Sequence, residues 1–372
     1  MAGGANMGGS NGYARAIKYD GSAWVIRGSN LEGAGSSDQF GDSVSLSQDG
    51  SVFAIGGRNN DGYKQDAGHV QVYEWNAGRS SWSQLGSDIY GEAKNDESGF
   101  SCDLSGDGTR VAIGAAENDG GGTAAGHARV FEYDSEAGSW GQMGADLDGD
   151  DPNGNCGDAV RLSPDGSTLA MGCFKHNGVG SNSDPSGLVR VFTWNSDTEQ
   201  WGQKGSDIIG DSAADWFGTG IGLSTDGTYL CGGASEANGG EVKVFEYTTD
   251  WNQMGTDIAR EASGDDWGIS CDISGDGMTV VAGARSNNGD GGTNSGHMRV
   301  YTWDAAVGDW AQKGSDIDGI GGDYRLGRST AISLDGTRVA AGSHTSDENG
   351  NDSGHISVYE WDSDSGDWVD MS

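Results

Sequence analysis

Histidine invites a chemical interpretation in this sequence because it recurs after glycine at corresponding places along the chain. The Gly-His pairs place imidazoles at His69, His127, His297 and His355. Imidazole is a common metal ligand and a common acid–base group. The corresponding positions elsewhere are Leu188 and Glu241, and equivalent positions in separate repeats lie too far apart to share one ion. We therefore interpret these histidines as structural residues that form hydrogen bonds across a turn.

Acidic residues form a second recurring pattern, both in the loops between one group of predicted strands and the next and in the loops between the second and third strands of a group. These loops carry Asp61, Asp96, Asp119, Asp151, Asp215, Asp266, Asp323 and Asp347. A face built from such loops could bind a cationic protein, a glycan or divalent ions. Turns also use Asp and Asn for local hydrogen bonds. Turn chemistry therefore explains each residue singly, whereas the whole face is a candidate docking surface.

Motifs of known catalytic chemistry are missing from the sequence. There is no G-x-S-x-G nucleophile elbow, phosphate-binding loop, H-E-x-x-H or metal-type Cys/His pair. Acidic pairs occur throughout the chain, so none of them specifically indicates glycosidase chemistry. Arg129, Arg190 and Arg299 recur within predicted strands, where their apolar stems can pack. The sequence gives no candidate catalytic residue, and we predict a protein that is not an enzyme.

Charge and composition exclude several classes of function. The 372 residues include 57 Asp and Glu against 21 Lys and Arg, for a net charge of −36. A field of this sign repels phosphate backbones and anionic lipid, so we predict no nucleic-acid partner and no membrane insertion. We find neither a membrane-spanning apolar stretch nor the basic and apolar regions of a signal peptide. Five cysteines without a C-x-x-C pair argue against a disulfide framework.

The histidines and acidic residues described above recur because the sequence contains an internal repeat. Its copies begin near residues 40, 98, 156, 217, 267 and 326, and each contains an Asp-Gly pair, which suits a tight hairpin turn. In the first copy we predict strands at residues 43–47, 52–56, 69–75 and 82–86. The third strand is apolar on both faces, so both faces need a cover.

Four-stranded antiparallel blades that pack face to face around an axis supply that cover, so we predict an all-β protein, a β-propeller. Residues 1–372 form a single domain in this interpretation, with a flexible N-terminal tail at residues 1–12 and a hairpin at residues 13–31. We predict six blades, with the N-terminal strand closing the ring by completing the last blade. The alternative is seven blades, one of them two-stranded and formed by the hairpin.

The repeated motif resembles the FG-GAP repeat, the unit of the integrin α-subunit propeller. It reads Phe40-Gly41 followed by Ala54-Ile55-Gly56-Gly57, and its first half returns as Phe217-Gly218 and Trp267-Gly268. Six copies in register cover nearly the whole chain. The chain is also similar to the acidic repeat proteins predicted in marine microorganisms. The resemblance implies recognition at a cell surface or outside the cell, often with calcium.

The calcium loop of this family lies between the first and second strands, with the pattern D-x-[DNS]-x-D-G-x-x-D. Its first half is matched by Asp103, Ser105 and Asp107, and again by Asp272, Ser274 and Asp276. Val111 and Val280 stand where the closing Asp is expected. Calcium prefers six to eight oxygen ligands, so plain Asp-Gly hairpin turns are the simpler interpretation. The predicted protein requires no cofactor, and Ca²⁺ at these two loops is the alternative.

Taken together, these features predict a non-enzymatic recognition, adhesion or scaffold protein. Its partner would be a protein or glycan, preferably cationic, bound through the acidic loop face. The copies differ mostly in loop length, whereas an active site usually breaks a repeat with singular residues. The family resemblance implies an extracellular or cell-surface location. The alternative function is a lectin or glycan-active enzyme that uses the central channel.

Overall fold

The computed structural model describes residues 3–6, 11–35, 37–181, 183–235, 240–347 and 353–371. Within these ranges the chain forms strands and turns but no helix, and the strands make seven antiparallel sheets. The protein is therefore an all-β, seven-bladed β-propeller. It divides into two compact units, one of Met1–His176 with Arg190–Lys204 and one of Asn177–Val189 with Gly205–Ser372. The described residues contain no helix with the length and hydropathy needed to cross a membrane.

The first unit contains the N-terminal sheet and the next three. The N-terminal sheet consists of β1 (Gly3–Asn6), β2 (Tyr13–Tyr19), β3 (Trp24–Ile26) and β4 (Leu31–Glu32). The second consists of β5 (Phe40–Leu46), β6 (Val52–Gly57), β7 (His69–Asn76), β8 (Ser81–Gln84) and β9 (Ile89–Tyr90). The third consists of β10 (Ser101–Leu104), β11 (Arg110–Ala115), β12 (His127–Asp134), β13 (Ser139–Gln142) and β14 (Leu147–Asp148). The fourth consists of β15 (Cys156–Leu162), β16 (Thr168–Cys173), β17 (Leu188–Asn195) and β18 (Gln200–Gln203).

The second unit contains the remaining sheets, together with β19 (Ile208–Ile209), which pairs with the first two residues of β17. The fifth sheet consists of β20 (Phe217–Leu223), β21 (Tyr229–Ala234), β22 (Glu241–Tyr247), β23 (Trp251–Gln253) and β24 (Ile258–Ala259). The sixth consists of β25 (Trp267–Ile273), β26 (Thr279–Ala284), β27 (His297–Asp304), β28 (Asp309–Gln312) and β29 (Ile317–Asp318). The seventh consists of β30 (Ser329–Ile332), β31 (Arg338–Ser343), β32 (His355–Asp362) and β33 (Asp367–Asp370).

The strand order within a blade follows the chain. In the second sheet, for example, the order is β5-β6-β7-β8, and the short β9 turns back to pair with the start of β7. Asp-Gly pairs make the turn between the first two strands, and Gly50 of the first such turn has a φ of 68°. This arrangement confirms the predicted all-β propeller of antiparallel sheets.

The prediction of six blades is wrong, and the seven-blade alternative fits, with four strands in the N-terminal blade rather than the two predicted. The N-terminal hairpin builds its own sheet, in which β2 pairs with β1, β3 and β4. The last blade has its own fourth strand, β33, which at four residues is as long as β8. It therefore has no vacancy for an N-terminal strand. The predicted tail at residues 1–12 lies partly outside the described residues, and its Gly3–Asn6 segment forms β1.

Glycines of the repeated motif lie where successive blades meet. A Cβ atom on Gly114 of β11 would lie 1.9 Å from the carbonyl oxygen of Gly157, and one on Gly56 of β6 would lie 2.1 Å from that of Gly99. Gly99 lies just before β10 and Gly157 is the second residue of β15. Their φ angles are 89° and 85°, which residues other than glycine rarely adopt. The repeated glycines thus allow backbone-to-backbone packing between blades.

Tryptophans of five fourth strands each link their own blade to the one before it. The indole Nε1 atoms of Trp82, Trp140, Trp201, Trp310 and Trp368 donate to the carbonyl oxygens of Arg27, Leu85, Met143, Met254 and Lys313. The distances lie between 2.7 and 3.0 Å. Each tryptophan also packs against an aromatic residue of its own third strand, as Trp82 does against Trp75. Each indole therefore stabilises its own blade and the contact between that blade and the preceding one.

Cysteine pairing departs from the sequence prediction. Cys156 of β15 and Cys173 of β16 are register partners and form a disulfide. The expectation that the chain lacks disulfides is wrong for this pair, because two adjacent strands bring together cysteines that are 17 residues apart. Cys102 and Cys271 are buried.

Candidate functional site

Charged side chains gather where the third strand of a blade begins. In the third sheet, His127 and Arg129 are the first and third residues of β12. The antiparallel partner β14 sets His127 opposite Asp148, so Asp146, two residues earlier, is brought alongside Arg129. Glu92 comes from the loop after β9 of the preceding blade. We call Glu92, His127, Arg129 and Asp146 the His127 cluster.

The imidazole of the His127 cluster is buried and neutral. One ligand atom each of Glu92, His127 and Asp146 lie within 4.8 Å of one another. His127 is only 1% exposed, and neither of its ring nitrogens has a hydrogen-bond partner among the described residues. Burial and the neighbouring Arg129 lower the pKa of His127 to about 4. The histidine therefore carries no charge at pH 7.

Glu92 is the member of the cluster that meets solvent, with a side chain 46% exposed. Partial burial raises its pKa, Arg129 opposes this rise, and Asp146 and Asp96 raise the pKa further. Arg129 is 5% exposed; its Nη1 lies 3.6 Å from Glu92 Oε1 and its Nη2 donates to Tyr90 O at 2.8 Å. The cluster thus presents a carboxylate of raised basicity beside a fixed guanidinium.

The sixth sheet repeats this arrangement within the second unit. Arg299 donates from Nε to Asp316 Oδ1 at 2.9 Å and from Nη2 to Asp316 Oδ2 at 2.8 Å. It also forms an ion pair with Glu261. Burial and Arg299 lower the pKa of His297. Because Arg299 is held by two carboxylates, this copy is a closed ion-pair network.

The fifth sheet carries a lysine version of the same arrangement. The ammonium group of Lys243 lies 2.9 Å from Glu241 Oε1 and also forms an ion pair with Asp211. Lys243 is 2% exposed, and Asp257 completes the acidic group around it. Burial alone would lower the pKa of Lys243, but its interactions with the carboxylates of Asp211 and Glu241 raise it.

Metal binding by these three groups is opposed by their own cations. Each group offers three carboxylate or imidazole ligands at suitable distances. However, Arg129, Lys243 or Arg299 lies among the carboxylates in each case. A divalent ion would have to displace or face this positive charge. The donor sets therefore suit a buried ion-pair network better than a metal centre.

The second sheet replaces the arginine with Gln71 and adds aromatic residues. His69 Nδ1 lies 3.0 Å from Asp88 Oδ2, and Gln71 donates to both carboxylate oxygens. Burial alone would raise the pKa of Asp88, yet hydrogen bonds from His69, Gln71 and Gln84 lower it to about 2. Above this group, the rings of Tyr63 and Tyr90 lie 6.2 Å apart and are 58% and 36% exposed.

The predicted acidic face divides into buried and exposed members. Asp96 and Asp215 are 2% and 3% exposed and accept hydrogen bonds from the backbone of their own loops. Asp61 and Asp119 accept from the amides of Asp66 and Ala124. Of the remaining four, Asp266 forms an ion pair with Arg285, and Asp323 accepts a hydrogen bond from Asn294. Asp151 is half-buried and Asp347 is exposed. Several of these carboxylates order loops, and the docking surface stays a prediction.

The predicted calcium residues are hydrogen-bonded within the protein. Asp107 accepts from Ser105 Oγ at 2.7 Å and from Thr109 N at 2.9 Å. Asp103 accepts from Ser45 Oγ and Leu162 N on neighbouring blades. The corresponding bonds of the second loop join Asp276 to Ser274 and Met278, and Asp272 to Ile332. The contacts of Asp107 and Asp276 are those of hairpin turns, whereas the contacts of Asp103 and Asp272 join neighbouring blades. Calcium binding stays a prediction.

The His127 cluster was missed because its members belong to two successive repeats. In the sequence, His127 and Arg129 belong to two separate recurring patterns, and the acidic loops form a third pattern that predicts a docking surface. A signal was present in the H-x-R pattern that recurs at His127 and His297. Combining it with the acid of the preceding blade would have required the register of β14 against β12.

Comparison with known proteins gives a likeness of fold. No family model and no curated protein matches the chain, so the FG-GAP assignment is not confirmed. The structure is similar to a candidate 6-phosphogluconolactonase of Bacteroides uniformis, with 14% identity, a TM-score of 0.65 and coverage of 99% of this chain and 93% of the other. It is also similar to the periplasmic gluconolactonase PpgL of Pseudomonas aeruginosa, with 17% identity, a TM-score of 0.63 and coverage of 99% and 94%.

A candidate 6-phosphogluconolactonase of Bacteroides fragilis is similar to the same degree, with 14% identity, a TM-score of 0.64 and coverage of 99% and 92%. At these identities the likeness establishes the fold. The names of these neighbours contradict the predictions of an adhesion protein and of no enzymatic activity, and they favour the enzyme alternative. That prediction rested on the absence of linear catalytic motifs, and a search for such motifs does not detect side chains that come together from separate blades.

Proposed function

We propose that this protein is a hydrolase of sugar lactones, the cyclic esters of sugar acids, and that the reaction occurs at the His127 cluster. One observation carries the proposal. A solvent-facing carboxylate, a neutral histidine and a buried guanidinium converge in a fold that is shared over its length with a gluconolactonase. Ester hydrolysis needs a base for water and a positive group near the developing oxyanion.

Each residue of the cluster has a role in this proposal. Glu92 takes a proton from water, whose oxygen bonds to the lactone carbonyl carbon. Arg129 stabilises the negative charge that develops on the carbonyl oxygen. The ring C–O bond then breaks, and the departing ring oxygen receives the proton from Glu92. The raised pKa of Glu92 makes it a stronger base, and neutral His127 adds no competing charge beside it.

Charge favours an unphosphorylated substrate. The chain carries a net charge of −36, and a field of this sign repels a phosphate ester. Arg299, the corresponding arginine of the sixth sheet, is already engaged with Asp316 and Glu261. We therefore propose a neutral lactone such as gluconolactone rather than its 6-phospho derivative.

Tyr63 and Tyr90 supply a surface for the sugar ring. The C–H face of a sugar can pack on exposed aromatic rings, and binding sites are often lined this way. Tyr90 is two residues from Glu92, and its carbonyl oxygen holds Arg129. We expect Tyr63→Ala to raise KM by about tenfold with little change in kcat, because the lost contact stabilises the bound substrate and the transition state equally.

We also propose a location outside the cytoplasm. The Cys156–Cys173 disulfide supports this, because disulfides persist in oxidising compartments. The likeness to a periplasmic gluconolactonase agrees with it.

The decisive experiment measures proton release from gluconolactone above its spontaneous hydrolysis. We expect wild-type protein to accelerate the reaction, and Glu92→Gln to lower kcat by about 10²–10⁴-fold. Because Glu92 must be ionised to act as a base, activity should fall as pH decreases through its raised pKa.

Glu132→Gln is the matched control, since it removes a carboxylate from β12 of the same blade that pairs with Arg110 instead. Its activity should equal that of wild type. Wild-type protein that leaves the spontaneous rate unchanged with both gluconolactone and its 6-phospho derivative would overturn the proposal. Faster turnover of the phosphorylated lactone would overturn the choice of substrate.

A further inference from the structure

Two cysteines outside the disulfide lie close together in the second unit. Cys231 of β21 and Cys271 of β25 have their Sγ atoms 2.8 Å apart. Both are buried, at 0% and 1% exposure, in one apolar cluster. Since β21 and β25 belong to neighbouring sheets, this contact joins two blades.

We propose that Cys231 and Cys271 form a second disulfide when the protein folds in an oxidising compartment. A disulfide bond is about 2.0 Å long, so the two Sγ atoms, now 2.8 Å apart, need to move closer by roughly 1 Å or less. The bond would connect the fifth and sixth blades covalently, whereas Cys156–Cys173 connects two strands within one blade.

The pairing is specific to this joint between blades. The position of Cys231 in the second strand is occupied by alanine in four other blades, at Ala54, Ala112, Ala170 and Ala340, and by Val281 in the sixth. Cys102 corresponds to Cys271 in the third sheet, and it packs in one cluster with Ala54 rather than with a second cysteine. Cys102 accepts a hydrogen bond from Ser43 Oγ at 3.4 Å, and burial raises its pKa to about 12. The five cysteines thus divide into two pairs and one inert thiol.

Formation of the bond proceeds by exchange with an oxidising disulfide, either a small molecule or an oxidoreductase. The thiolate of one cysteine attacks a sulfur of the oxidant, whose S–S bond breaks and releases one thiol. The thiolate of the second cysteine attacks the resulting mixed disulfide and releases the other thiol. Two protons and two electrons leave Cys231 and Cys271, and the oxidant is reduced to two thiols. Because the native pair is buried, this exchange takes place before the blades close over it.

The test is thiol counting on protein produced in an oxidising compartment. The protein is denatured without reductant, alkylated, and analysed by intact-mass spectrometry and peptide mapping. We expect one alkylated cysteine per chain, Cys102, together with a peptide in which Cys231 is linked to Cys271. Three alkylated cysteines, with Cys231 and Cys271 among them, would overturn the proposal.

Two variants keep the result interpretable. Cys231→Ala introduces the residue that other blades hold at this position, and it should expose two alkylated cysteines, Cys102 and Cys271. Cys102→Val, the matched control, introduces the residue found at Val44 and Val160 and should leave no cysteine to alkylate. An unchanged count of one in Cys231→Ala would show that the partner of Cys271 is not Cys231 and would contradict the assignment.

Discussion

Single aspartates hold the hairpin turns between first and second strands. Asp335 Oδ1 accepts hydrogen bonds from Ser333 Oγ at 2.6 Å, Thr337 Oγ1 at 2.7 Å and Thr337 N at 3.0 Å. The hydroxyl of Ser333 gives the largest effect, and together these bonds lower the pKa of Asp335 to about 2. The carboxylate form of this residue is therefore the one that stabilises the turn.

Asp335→Asn should lower the melting temperature at pH 7 by about 1–3 °C, the scale of one surface hydrogen bond. The folded pKa of Asp335 lies below the unfolded value of about 3.9. Its contribution is therefore fully present above the unfolded pKa and is lost as pH falls through about 2. We expect the difference between wild type and variant to shrink between pH 4 and pH 2, measured by circular dichroism. Asp197→Asn makes the same charge change at an exposed turn, and a difference equal to that of Asp335→Asn would contradict the prediction.

Strands meet between blades at positions where only glycine fits. Gly114 of β11 is enclosed by the carbonyl oxygen of Gly157 and by Ser101 Oγ, which would lie 1.9 Å and 2.4 Å from an added Cβ. The carbonyl belongs to the backbone of the next blade, so it cannot rotate away as a side chain would. A methyl group at this position must therefore separate the two blades.

Gly114→Ala should destabilise the protein by about 1–3 kcal/mol, the usual cost of overpacking. Gly202→Ala is the control, because Gly202 of β18 has no atom within 4 Å of its added Cβ. The control should be neutral or slightly stabilising, since alanine restricts the unfolded chain. Both effects can be read from the midpoint of urea unfolding. Equal midpoints for the two variants would show that the contact between blades does not limit packing.

Net charge acts on the molecule as a whole. A charge of −36 is spread over 372 residues, and self-repulsion of this kind opposes the compact state. Salt screens repulsion between exposed charges that are farther apart than the Debye length, which is about 10 Å at 0.1 M. The folded state should therefore be more stable at high ionic strength.

We expect the melting temperature to rise by several degrees between low salt and 0.5 M NaCl, roughly where the Debye length falls below 5 Å. Differential scanning calorimetry in CaCl₂ and MgCl₂ at equal ionic strength separates screening from the predicted calcium sites. A rise that is larger in calcium and is lost in Asp103→Asn would support calcium binding. A melting temperature that is independent of NaCl would contradict the role of net charge.

Repetition made the fold predictable, because each copy carries its own turn, glycine and tryptophan signals. The number of blades was not predictable in this way. β1 consists of Gly3–Asn6, which lacks an apolar pattern and is a strand only through its pairing with β2. The His127 cluster was missed for a similar reason, since Glu92 reaches His127 only through contact between blades. Features that depend on pairing between distant segments are not encoded in local patterns.

The tryptophans between blades donate hydrogen bonds to main-chain atoms, and this affects how far the sequences of the blades can diverge. The five acceptors are Arg27, Leu85, Met143, Met254 and Lys313. Their side chains have little in common, but every one offers the same carbonyl oxygen. A duplicated blade placed beside a blade of different sequence would still find a carbonyl oxygen to accept its indole hydrogen bond. The blades can therefore diverge in sequence or be recombined while this contact between them is kept.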